Sequence, residues 1–384
     1  MTTDAGTLPF RIFFMFAALD AIWGVAVWLA PPLGLDTSGF APQGLAIFHR
    51  QELLFGTAPA VFAGVILTAL PRWTRRTPVS PYLVFALAAI WLQGRFLHVS
   101  ASPGAVLVAA FFTALLAFTV ATRVVPARDR RNGKIIALLA LLAAGIVFAG
   151  VQPMAADGEF GARLALAAVL GILMVLGGRI VPSVTAAYLR EPASAFPPVW
   201  RKRIELGAGT ATAFALGAWT VSPGLNETAA ACALAAAAQA IRLLQWQGWR
   251  TTANPGVLVL HVGYGWIAAG FALAAAAPFL PELNLMDATA HTWTAGGIGL
   301  CSLGVMSSMA RRYAGIAFQS PPLLSAAYAC GLAAATARLL GVFLPDARLT
   351  WFNFSALAWI AAYAMFLLFF ERTPLRKKPA PERT

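Results

Sequence analysis

The stretch FHRQELLFGTAPAVFAGVILTALPRWTRR, Phe48 to Arg76, is apolar over the length of a bilayer, opens on a histidine and a glutamate, and closes on an arginine cluster. About 20 consecutive apolar residues span the hydrocarbon, and a charged group inside it is costly unless paired or liganded. His49 and Glu52 stand three apart and so share a helix face, which Gly56, Ala60 and Ala63 continue with small residues. Such residues admit another helix or a flat cofactor at close range. The plain alternative is a membrane helix whose interfacial His and Glu face water.

The rest of the chain supports the membrane reading. Its 384 residues are 59% hydrophobic and only 11% charged, with a mean hydropathy of +0.73, which excludes an ordinary soluble domain. The net charge of +13 is not gathered on one face or tail, as nucleic-acid binding would require, but arrives in short bursts between apolar runs. Cys232, Cys301 and Cys330 all fall inside such runs, so no disulfide framework is expected, and no Cys-x-x-Cys-His motif attaches a c-type haem. The N-terminal sequence lacks a basic region and a cleavage site, so the first run is expected to be a retained helix.

Twelve runs of spanning length follow, near 10–30, 46–70, 81–99, 104–122, 135–152, 162–185, 204–222, 227–245, 256–277, 290–311, 321–344 and 350–371. The expected fold is therefore an all-α polytopic membrane protein, one integral domain over 1–384 with a basic tail at 372–384. Arg72, Arg75 and Arg76, the cluster from Arg123 to Lys134, Arg190 with Arg201 to Arg203, Arg250, Arg311 and Arg312, and the tail cations Arg376 to Lys378 occupy alternate loops. The opposite loops carry Asp36, Asp157, Glu159, Glu227, Glu282, Asp287 and Asp346. The positive-inside rule then places both termini in the cytoplasm.

Two helix pairs resemble each other. His49 opens run two and Arg95 lies near the outer end of run three, 46 residues on; His291 opens run ten and Arg338 lies near the outer end of run eleven, 47 residues on. An arginine- and proline-bearing turn joins each pair, and run ten repeats the small, polar stripe with His291, Thr294, Gly297, Cys301, Gly304 and Ser308.

The four histidines, His49, His98, His261 and His291, all sit in or at the ends of runs. A lone membrane histidine is often only hydrogen-bonded to a backbone carbonyl. His49, His98 and His291, however, share an outer depth, so two of them could meet one iron from opposite faces. Paired neutral imidazoles suit a b-type haem, and small neighbours leave room for the macrocycle. Arg95 and Arg338 would then pair with the propionates, the alternatives being snorkelling to the interface or pairing with Glu52 or Asp346. His261 lies near the inner end of run nine, where Arg179, Gln245, Met306 and Tyr313 are its expected neighbours. Imidazole with the Met306 thioether suits copper, and a structural hydrogen bond is the alternative. No nucleotide-binding glycine motif and no His-Glu-x-x-His is present, and intramembrane carboxylates other than Asp20 and Glu52 are scarce, which weighs against ATP-driven, NAD-linked or proton-coupled transport chemistry.

The opening stretch resembles the Trp-His-x-His-Glu-Met-x-Phe-Gly…Leu-Thr-Ala-x-Pro-x-Trp signature of the NnrS family. GGRIVPSVT (177–185), LHVGYGWIAAGFAL (260–273) and AHTWTAGGIGLCSLGVMSSMARR (290–312) resemble that family's later segments. The resemblance places His49, Glu52, His261 and His291 at signature positions. It implies a haem- and copper-containing bacterial inner-membrane protein linked to nitric oxide metabolism, nitrosative stress and denitrification. Two departures stand out: Gln51 replaces a signature histidine, and Arg312-Tyr313-Ala314-Gly315 replaces Gly-His-Thr-Gly. Gln and Tyr are poorer metal ligands than imidazole. In layout the chain is also similar to the catalytic subunit of haem-copper oxidases, although runs six and seven hold no histidine for a binuclear copper site.

The expected function is thus binding or turnover of nitric oxide at a b-type haem held by His49 and His291, with His98, Arg95 and Arg338 about the cofactor. Glu52, His261 and Met306 are further metal-ligand candidates, and the redox partner is open. The alternatives are a haem protein of electron transfer or assembly, and a small-molecule or metal transporter without haem.

Overall fold

A computed structural model describes residues 8–39, 41, 44–99, 104–151 and 159–373. Asp157, the N-terminal sequence before Leu8 and the tail cations Arg376 to Lys378 lie outside these residues. Twelve helical rods, found among the described residues, stand where the twelve apolar runs predict them. Helix one is Leu8–Leu29, helix two Leu45–Thr74, helix three Pro81–Val99, helix four Gly104–Val124 and helix five Arg130–Val151. Helix six is Phe160–Leu189, helix seven Pro198–Val221, helix eight Asn226–Gln245 and helix nine Pro255–Phe279. Helix ten covers 285–313, helix eleven is Pro322–Phe343 and helix twelve Arg348–Arg372.

Ten of the rods are long and apolar enough to cross a membrane. The exceptions are helix seven, whose first two turns carry Arg201, Lys202 and Arg203, and helix ten, which is broken into three pieces. Proline marks many rod starts, as at Pro81, Pro198, Pro255 and Pro322, where the missing N–H costs no helical hydrogen bond.

Successive rods pack on each other, and the chain closes on itself where helix one meets helix twelve and Trp359 Nε1 donates to the Ala21 carbonyl at 2.9 Å. Without a hydrophobic drive between helices in lipid, close packing of small residues holds such a bundle together. A Cβ built on Gly145 would come within 2.6 Å of the Ala165 nitrogen, and one on Gly161 within 2.2 Å of the Ala149 nitrogen, so helices five and six cross at backbone contact. Helix two is the most enclosed of the ten spans. It packs on helices one and four and touches helix ten, so the opening stretch of the sequence is also the centre of the molecule.

One feature is not legible in the apolar pattern. Helix two begins as a seven-residue α-helix, Leu45–Gln51, passes through a π-helical segment at Glu52–Thr57, and resumes as α-helix at Ala58–Thr74. Helix ten does the same: α-helix at Leu285–His291, π-helix at Thr292–Gly299, α-helix at Leu300–Tyr313. Such wide turns are rare and concentrate at functional sites.

Candidate functional site

His49 lies in the last turn of the short α-helix before one π-segment, and His291 is the last residue before the other. The two histidines are therefore presented by the same local device. The His49 Nδ1 meets the Gly24 carbonyl at 2.7 Å, and the His291 Nδ1 meets the Asp287 carbonyl at 2.9 Å and its Oδ1 at 3.0 Å. A carbonyl oxygen only accepts, so each Nδ1 carries the proton and each Nε2 keeps its lone pair. This is the second-layer arrangement that orients an imidazole for metal ligation and fixes its tautomer. His49 is within electrostatic range of both His291 and Arg338, so residues far apart in the chain come near one another.

The remaining candidates divide between two other places. Glu52 is fully buried and gathers a charged cluster: Arg95 Nη1 reaches its Oε1 at 3.0 Å, and His98 Nδ1 bonds the same oxygen. Asp20 lies within hydrogen-bonding reach of Glu52 and accepts from the Thr57 hydroxyl at 2.7 Å. Trp91 donates to the Gly56 carbonyl at 3.0 Å, tying helix three to the π-segment. His98, stacked on Phe48 with ring centroids 4.5 Å apart, thus belongs to Glu52 and not to the His49–His291 pair. Of the two arginine alternatives, Arg95 takes Glu52 as its partner, whereas Arg338 takes Asp287 at 3.3 Å instead of Asp346 and lies 3.8 Å over the Phe352 ring.

At the inner end, His261 Nε2 meets the Thr185 hydroxyl at 2.8 Å, and the ring stands edge-on to Trp246. Its expected neighbours are engaged elsewhere: Arg179 with Asn132, Gln245 with Glu205, and Tyr313 stacked on Phe10 at 4.8 Å. Met306 is fully buried in the apolar core. Among the described residues no three His, Cys, Asp or Glu side chains converge as a metal-ion site. The surroundings of His261 therefore do not supply a copper-binding set of that kind.

A haem fits the donors at the outer site better. Beyond the two free Nε2 atoms, Arg338 Nη1 is buried with no hydrogen-bond partner, as is Arg95 Nε. Anionic propionates satisfy such donors. Arg338 is the better placed of the two, since it is the one within electrostatic range of His49.

The sequence matches the NnrS protein family over residues 6–378, nearly its whole length. The chain belongs to the NnrS family. No curated protein matches it. As an NnrS-family member it is a multi-pass protein of a lipid bilayer. Asp287 was missed as a functional residue in the sequence, although its place four residues before His291 puts it one helical turn away on the same face. The Gly24 carbonyl left no signal at all, because any residue supplies one.

Proposed function

We propose that this NnrS-family chain is a b-haem protein of the bacterial cytoplasmic membrane, with His49 and His291 as axial ligands, acting in nitric oxide metabolism or the nitrosative stress response. The observation that carries the reading is the matched presentation of the two imidazoles. Each stands at the brink of a π-helical segment, has its Nδ1 proton committed to a backbone carbonyl, and turns its Nε2 lone pair free. Bis-imidazole ligation is a standard way of holding haem iron. Asp287 orients His291 and steadies Arg338, whose spare donor is suited to a propionate.

A haem held by His49 and His291 would supply an iron able to bind nitric oxide. The protein's part is to hold the two imidazoles in a half-buried site and to neutralise the propionates. Nitric oxide added to the reduced, purified protein tests the gas-binding role. A shifted Soret band is the expected result, and a six-coordinate spectrum unmoved by nitric oxide and by carbon monoxide would assign the haem to electron transfer instead.

A further inference from the structure

Asp20 and Glu52 are both buried within bilayer-length helices, yet they are held in different ways. Glu52 Oε1 accepts from Arg95 Nη1 at 3.0 Å and from His98 Nδ1. Its other oxygen, Oε2, is buried and accepts from no N–H or hydroxyl. The neighbour left within hydrogen-bonding reach of Glu52 is the Asp20 carboxyl. Asp20 Oδ2 takes the Thr57 hydroxyl at 2.7 Å, and the guanidinium of the site pairs with Glu52 rather than with Asp20.

An ionised carboxylate only accepts, so Asp20 and Glu52 bond to each other only when one of them carries a proton. Two bare carboxylates in contact are costly where water is excluded. Charge counting leads to the same state. Two carboxylates and the Arg95 guanidinium leave one negative charge, which a single proton cancels. The other helices that touch this region keep their charges away from it: Arg123, Arg163 and Arg179 bond elsewhere, and helix twelve is charged only at its ends.

We infer that the cluster is a proton-binding site: one exchangeable proton rests on Asp20 and reaches water at the outer end of the bundle through Glu52 and His98. At rest the Asp20 hydroxyl donates to Glu52 Oε2, Thr57 donates to the Asp20 carbonyl oxygen, and a neutral His98 donates from Nδ1 to Glu52 Oε1. For uptake, an imidazolium formed at His98 gives its Nδ1 proton to Glu52, and Glu52 turns and passes a proton to Asp20. Each transfer moves one proton and no electron, and the cluster stays neutral throughout. His98 is the entry because it stands one residue before the end of the helix three span, and its side chain is 11% exposed against none for Glu52. The inference goes beyond the haem assignment and does not depend on it.

The test is infrared spectroscopy of the full-length protein in nanodiscs at neutral pH, with the Soret band of the same sample read alongside so that failure here and failure of the haem assignment are separate results. A carbonyl-stretch band of a protonated carboxyl, shifted in heavy water, is expected. It should move when the aspartate carboxyls are isotope-labelled, stay when the glutamate carboxyls are, and vanish in Asp20→Asn. Asparagine keeps a donor for Glu52 and an acceptor for Thr57, so that variant is expected to fold; the isotope experiment on the wild type stands without it. Thr57→Val retains both acids and should shift the band by removing the hydroxyl from the Asp20 carbonyl oxygen. His98→Ala should keep the band and slow its exchange into heavy water. The same carboxyl bands in wild type and Asp20→Asn, a band that follows the glutamate label, or unaltered exchange in His98→Ala would overturn the proposal.

Discussion

At the residue scale, the difference between a solvated ion pair and a buried one decides what each charge does. Arg50 pairs with Glu159 at 2.7 Å, but the two side chains are 32% and 64% exposed. Arg95 pairs with a Glu52 that has no exposure at all. Exposed pairs contribute about 0–1 kcal/mol, whereas removing one partner of a buried pair costs about 3–5 kcal/mol because the other charge is stranded. Arg95→Ala should therefore lower the thermal midpoint in detergent markedly while Arg50→Ala barely moves it; similar midpoints for the two variants would contradict the burial described. Gly56 belongs to the same site. A Cβ there would lie 2.6 Å from both Arg95 Nη1 and Asp20 Oδ2, and Arg95 is already held by Glu52. Gly56→Ala should cost about 1–3 kcal/mol, the range for overpacking, read from the same melting curves. The candidate residues were legible in the sequence because intramembrane histidines and acids are rare. Their partners were not, since Arg95–Glu52 and Arg338–Asp287 depend on side-chain direction across helices, which spacing alone does not give.

At the scale of the element, the twelve rods could be read directly because apolar length is a strong signal, and the π-segments could not because they change no residue's polarity. Yet they set the direction of both histidines. A π-turn accommodates an extra residue, and each residue advances an α-helix by about 100°. Deleting Leu53 should restore regular α-helix through 52–57, swing His49 by about that angle relative to the rest of helix two, and remove haem absorbance while the protein still inserts in the membrane. Retention of a wild-type spectrum after the deletion would mean that the wide turn does not aim the imidazole. The two helix pairs also share more than their sequence spacing showed. In each, an arginine on the following helix engages an acid within about one turn of the histidine: Glu52 after His49, Asp287 before His291. Elsewhere the close crossing of helices five and six depends on glycine. Gly161→Leu would force a side chain into the Ala149 backbone, and loss of folded protein on size-exclusion chromatography is the expected outcome.

At the scale of the molecule, closure of the chain into one bundle brings residues from helices two and ten near one another. Helix two, most enclosed and touching both its sequence neighbours and helix ten, connects the histidine pair to the Glu52 cluster. The inner site around His261 stands apart from this arrangement, with Thr185 as its hydrogen-bond partner. The account accordingly predicts different consequences for histidines that look alike in the sequence. The most direct measurement is the absorption spectrum and haem content of the purified wild-type, His49→Ala, His291→Ala and His261→Ala proteins. A Soret band in the wild type and in His261→Ala, lost or moved in both His49→Ala and His291→Ala, is the predicted result; no band in the wild type, or one unchanged in both of those variants, would contradict the central claim.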